Sequence, residues 1–139
     1  MVKKYVVSVI AIFVVWSVLD YIIHSLILSP IYAQTAQLWR PMGEMKMGLM
    51  YLVTILSAIF FVGIWAFLIP QKDLTNGLKY GLLFGLAFGI SMGYGTYSFM
   101  PIPYALAIGW FLGTVLELLV AGALLGVLFK ADAEPATQG

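Results

Sequence analysis

Four stretches of this chain stay apolar for about 20 residues or more, the length a helix needs to cross a hydrocarbon core ~30 Å thick. They run over about 5–28, 48–69, 78–99 and 104–129. No arrangement in water hides that much apolar helix in 139 residues. Charge agrees: only 9% of the residues are charged and 63% are hydrophobic, where an average soluble domain is roughly a quarter charged. The expected fold is all-α, a four-helix transmembrane bundle forming a single integral membrane domain over 1–139. A cytoplasmic tail is expected at about 130–139.

The first apolar run follows Lys3 and Lys4, as a signal peptide would. It is too long for an ordinary signal core and carries Asp20 and His24 inside it, so it reads as a retained span. Lys and Arg are held on the cytoplasmic side during insertion. With the N-terminus inside, Lys3, Lys4, Lys72, Lys79 and Lys130 are cytoplasmic, and Arg40 and Lys46 face out. Both termini are therefore expected in the cytoplasm.

The connection after the first span reads as a short interfacial helix over about 30–40. Ile31, Tyr32, Thr35, Leu38 and Trp39 recur at helical spacing, with Gln34, Gln37 and Arg40 largely on the other side. Pro30 suits a first turn and Pro41 disfavours continuation. Tyr32 and Trp39 are residue types that settle at headgroup level, with Arg40 beside them at the rim.

In the third span Gly81, Gly85, Gly89 and Gly93 stand at every fourth residue, and Gly109 and Gly113 begin a smaller row in the fourth. Such rows let helices approach closely, because in lipid packing rather than water exclusion drives association. The tight turn Met100-Pro101-Ile102-Pro103 makes spans three and four antiparallel neighbours. The row can therefore pack within this hairpin, or in a homo-oligomer or larger membrane complex.

A net charge of +1 leaves no basic footprint for nucleic acid. There is no cysteine, and His24 alone cannot supply a site that needs two or three imidazoles. Phosphate-binding loops, dinucleotide fingerprints, nucleophile elbows and zinc-protease motifs are all missing. The lipid bilayer is the one partner the sequence implies directly.

What remains is a short set of costly residues. Asp20, His24 and Glu117 fall inside spans, where a central Asp costs ~2.5–3.5 kcal/mol on insertion scales. Each should face the bundle interior. Asp20 and His24 are one turn apart, on the face of Ser17. At about 1.5 Å per residue, Asp20 lies roughly 12 Å and His24 roughly 6 Å below the outer end, with Glu117 roughly 20 Å below it. The same ruler brings Tyr51, Thr54, Ser91 and Tyr94 to the level of the Asp20–His24 stripe.

Three chemistries fit this set. The carboxyls can carry protons with His24 as an outer relay, since burial favours their neutral forms. The three side chains can offer one nitrogen and two carboxylate groups to a divalent metal, a weaker reading because the ligands sit at different depths on two helices. Or they can fix helix register through dry hydrogen bonds. No cofactor is specified, and no nucleophile–base pair marks an enzyme. The function expected is a proton- or cation-linked transport or channel protomer, with a non-catalytic accessory or scaffold subunit as the alternative.

The pattern Asp20-x3-His24, Tyr32, Trp39-Arg40-Pro41, the glycine row and Glu117 resembles the small four-helix inner-membrane proteins of bacteria whose activity is unknown. That resemblance implies a prokaryotic membrane protein and carries over no activity.

Overall fold

A computed structural model describes residues 1–130; the remainder of the expected tail lies outside the described residues. Within them the chain is helical without strands. Helix α1 (Val2–Asp20) runs on through a wide π turn (Tyr21–Ile27), closed by the Leu28 amide on the Ile23 carbonyl at 2.8 Å. Next come the short α2 (Ser29–Gln34) and the long α3 (Met47–Leu68). Helix α4 (Leu74–Ile90) continues through a second π turn (Ser91–Gly95) into α5 (Thr96–Phe99), and α6 (Tyr104–Leu128) closes the bundle.

Three of these helical runs, Val2–Ile27, Met47–Leu68 and Tyr104–Leu128, are long and apolar enough to cross a membrane. By length and composition this is a membrane protein. The run beginning at Leu74, expected as a further span, is not among the three. It carries Thr75, Asn76 and Lys79 near its start, and many of its positions hold glycine, which contributes close approach rather than apolar surface.

The glycines of α4 lie against the backbone of α6. A Cβ on Gly81 would collide with the Leu118 carbonyl and come within 3.0 Å of Leu119 Cα; one on Gly85 would come within 2.9 Å of Val115 Cα. Gly89 faces the Phe111 carbonyl and Gly93 the Ala107 carbonyl. The seam extends one turn beyond the expected row to Gly77, which meets Gly122 and Gly126. The short connection at 100–103 makes these helices antiparallel neighbours, so the row is spent inside the chain. Gly109 and Gly113 serve another helix, receiving the side chains of Leu28 and Ile23 from the α1 run.

Aromatic donors tie the other helices together. Tyr5 Oη donates to the Ile59 carbonyl at 2.7 Å, Tyr80 Oη to that of Phe61 at 2.7 Å, and Trp16 Nε1 to that of Glu117 at 3.0 Å. Each crosses from one helix to another. Around them Ile12, Val62, Trp65 and Leu125 form the fully buried core. Asp73 caps α4 by accepting the Asn76 amide at 2.8 Å. Lys4 Nζ donates to the Lys130 carbonyl at 3.3 Å, which brings the start of α1 and the end of α6 to the same end of the bundle.

The interfacial helix expected over about 30–40 is shorter. It stops at Gln34, and a separate 3-10 turn (Ala36–Leu38) follows. Thr35 causes the break: its hydroxyl bonds back to the Ile31 carbonyl at 2.8 Å, and its φ of −119° leaves the helical region. Trp39 is already extended, and Pro41 disfavours helix at Arg40 before it; a further 3-10 turn (Met42–Glu44) follows. Trp39 Nε1 donates to Thr35 Oγ1 at 2.9 Å, so the ring folds back over the break.

Candidate functional site: an acidic cleft between helices

A cleft of about 610 Å³ lies between α1, α3, α4 and α6. Its walls are apolar, with Phe60 and Phe61 from α3 and Phe84 and Phe88 from α4, and Asp20 and Glu117 also line it. Thr54, Ser57 and Thr114 add hydroxyls. Behind two of its lining residues an aromatic cluster forms: Tyr80 packs with tilted rings against Phe61 and Phe84, with ring centroids 4.6 and 4.8 Å away.

The helical ruler sets Glu117 roughly 8 Å deeper than Asp20, yet both line the same cleft. The direction of the side chains explains it. Cβ atoms tilt toward a helix's own N-terminus. Because α1 and α6 are antiparallel, Asp20 leans deeper while Glu117 leans outward, and the two converge. Trp16 fixes the level by donating to the Glu117 backbone carbonyl. Glu117 Oε1 is out of solvent reach with no hydrogen-bond partner. A buried carboxyl oxygen in that state is costly unless something else comes to it.

His24 stands beside this pair. Its Nε2 lies 3.7 Å from Asp20 Oδ1, and its Nδ1 is 2.6 Å from Tyr32 Oη. Trp110 Nε1 donates to the same Tyr32 oxygen at 2.6 Å. The Tyr32 oxygen accepts from Trp110 and its hydrogen is free to go to Nδ1; in that arrangement a neutral imidazole carries its hydrogen on Nε2, the side of Asp20. Burial raises the Tyr32 phenol above its ordinary value, against the opposing effect of the Trp110 bond, and Asp20 raises it further. Tyr32 is thus a neutral donor at any physiological pH. Tyr32, His24 and Asp20 thus stand in succession beside the cleft that Asp20 shares with Glu117.

Other expected members lie elsewhere. Ser17 donates to the Phe13 carbonyl at 2.8 Å, and Thr54, though it lines the cleft, donates to that of Met50 at 3.0 Å. Tyr51 is exposed, its ring tilted against that of Phe13. Tyr94 pairs with Tyr104 at 3.0 Å, and Ser91 is exposed on the π turn. Equal depth does not mean a shared face. Of the interface anchors, Tyr32 and Trp39 join a ring cluster with Trp110, and Arg40 is exposed beyond it. Among the described residues no three His, Asp or Glu side chains gather to hold a metal ion. His24 presents one nitrogen to Tyr32 and the other to Asp20, so the Asp20–His24–Glu117 metal reading finds no ligand set.

Sequence reasoning missed Trp16, Tyr32 as the partner of His24, and the four phenylalanines. The indole at 16, one turn before Asp20, was the available signal.

Tyr32→Phe removes the oxygen shared by His24 and Trp110 and leaves both short of a partner, at a cost of about 1–3 kcal/mol. Backbone amides of α2 should exchange with deuterium at least tenfold faster in the variant, with the α4–α6 seam unchanged. Equal exchange in α2 would show that the phenol does not hold this helix.

No protein-family model matches the chain, and no curated protein or solved structure is significantly similar to it.

Proposed function

We propose that this chain is a proton- or cation-linked transport protomer whose exchanging groups are Asp20 and Glu117. The observation that carries the reading is the buried, unpartnered Glu117 oxygen in a cleft it shares with Asp20. Intramembrane carboxyls are kept at a cost, and those that face a cavity mark ion and proton pathways. His24 and Tyr32 supply the outer end of a relay.

In this reading the run from Leu74 to Phe99 crosses the membrane as a fourth helix, since α4 lies antiparallel along α6. Both termini are cytoplasmic in a bacterial inner membrane. Lys3, Lys4, Lys72, Lys79 and Lys130 fall toward the end of the bundle where α1 begins, in keeping with the retention of basic residues inside.

The test is ion flux in liposomes carrying the purified protein, read with proton- and cation-sensitive dyes. Asp20→Asn and Glu117→Gln should each lower flux at least tenfold while the protein still elutes as a single species. Flux that survives both substitutions, or is no greater than in empty liposomes, overturns the reading.

A further inference from the structure

We infer that the cleft among α1, α3, α4 and α6 is a binding site for an amphipathic organic cation that bears aromatic or other bulky apolar groups and enters sideways from the bilayer. This rests on the reading of Asp20 and Glu117 as an exchanging pair, and names what exchanges with the proton.

Three observations select this class. The first is charge: two carboxyl side chains line the cleft and no Lys, Arg or His is among its lining residues. His24 approaches Asp20 from outside the cleft, and nothing donates to Glu117 Oε1. A cation supplied by a ligand completes what the chain leaves incomplete.

The second is size and lining. At about 610 Å³ the cleft lies within the ~300–1,000 Å³ typical of drug-sized ligands, far more than a bare metal ion fills. Hard cations need about six or more oxygen ligands for Ca²⁺, and apolar walls do not provide them. Phe60, Phe61, Phe84 and Phe88 instead offer aromatic rings, whose faces attract a diffuse organic cation through their quadrupoles and whose carbons hold its apolar body by contact.

The third is access. Phe60 is 69% exposed and Phe88 55% exposed on the outer surface of the bundle, so the cleft's aromatic edges face the surroundings of the helices rather than the core. In a membrane those surroundings are lipid. A ligand already dissolved in the bilayer reaches the carboxyls without crossing water. A neutral lipid chain would fit the walls but leave both carboxyls without a counter-charge.

The probe is tetraphenylphosphonium, with tetraphenylborate as an anion of nearly the same shape. Binding is measured on the full chain in nanodiscs, by quenching of tryptophan fluorescence and by equilibrium dialysis, corrected with empty nanodiscs. The phosphonium should bind saturably at one per chain and the borate should not saturate. Glu117→Gln should weaken phosphonium binding at least tenfold, and the double variant with Asp20→Asn should abolish it. Ser57→Trp, which fills the cleft and leaves both carboxyls in place, should abolish it too and guards against misfolding of the acid variants.

Equal binding of both ions, or phosphonium binding unchanged in the double variant and in Ser57→Trp, overturns the inference and makes the cleft a lipid-filled groove. Absent phosphonium binding combined with proton or metal-ion flux that is lost in Glu117→Gln overturns the inference alone. Retained binding without any flux overturns the transport reading and leaves a cation-binding protein.

Discussion

Gly81→Ala should destabilise the protein by about 2–3 kcal/mol, although alanine is the better helix former by about 1 kcal/mol. The added methyl has nowhere to go. It would collide with the Leu118 carbonyl, with Leu118 C and Leu119 Cα each at 3.0 Å, and those are backbone atoms of a helix that cannot rotate away as a side chain would. The two helices would have to separate, and the neighbouring contacts at Gly77, Gly85 and Gly122 would loosen with them. Gly48 is the matched control: it lies in the first turn of α3 with nothing within 4 Å of its would-be Cβ. Gly48→Ala should be neutral or stabilising by up to about 1 kcal/mol. Thermal unfolding in one detergent, followed by circular dichroism, compares the pair, and a Gly81→Ala midpoint at or above wild type would show that the seam has slack.

Glu117→Leu should move stability and function in opposite directions. Leucine has nearly the volume of glutamate and suits the apolar side of the cleft, while the Trp16 hydrogen bond goes to the backbone carbonyl and survives. Replacing a buried polar group that lacks a partner by an apolar one removes its desolvation cost, about 1–3 kcal/mol. Flux should vanish and the unfolding midpoint should rise. This separates the exchanging role from a purely structural one: if Glu117 existed to hold helix register, its loss would lower the midpoint. A lower midpoint with unaltered flux would therefore assign Glu117 to architecture.

Much of the architecture is legible in the sequence because lipid imposes long apolar runs. The edges of α3 and α6 fall within a residue of where those runs begin and end. The glycine spacing is readable for the same reason, since few residues permit backbones to touch. Its reach to Gly77 is hidden because Thr75 and Asn76 make that turn look like part of the connection.

The site is less legible. A straight-helix ruler ignores side-chain tilt, which is what brings Asp20 and Glu117 to one cleft. It also ignores the π turn between Asp20 and Leu28, which resets the directions of His24 and Leu28. The Tyr32–His24–Trp110 network needs α2 to fold back over α1 and α6, a tertiary event that spacing along the chain does not encode. Tyr51, Ser91 and Tyr94 show the reverse error, in which matched depth stands in for a shared face.

Where α4 meets α6, backbone rests on backbone at Gly77, Gly81 and Gly122, and farther along, at Gly89, the side chains of Phe111 and Val115 enter the seam. Such a joint is poor at sliding or tilting by small amounts, so the hairpin behaves as one stiff plank. Helix α3 instead meets its neighbours through side chains, with Tyr5 and Tyr80 bonding to its carbonyls and Val62 and Trp65 packed in the core, and side-chain packing has rotamers to give where backbone packing has none. If the cleft breathes, the physics of these contacts assigns the movement to α3, with Phe60 on the moving edge and the carboxyl of Glu117 on the fixed one.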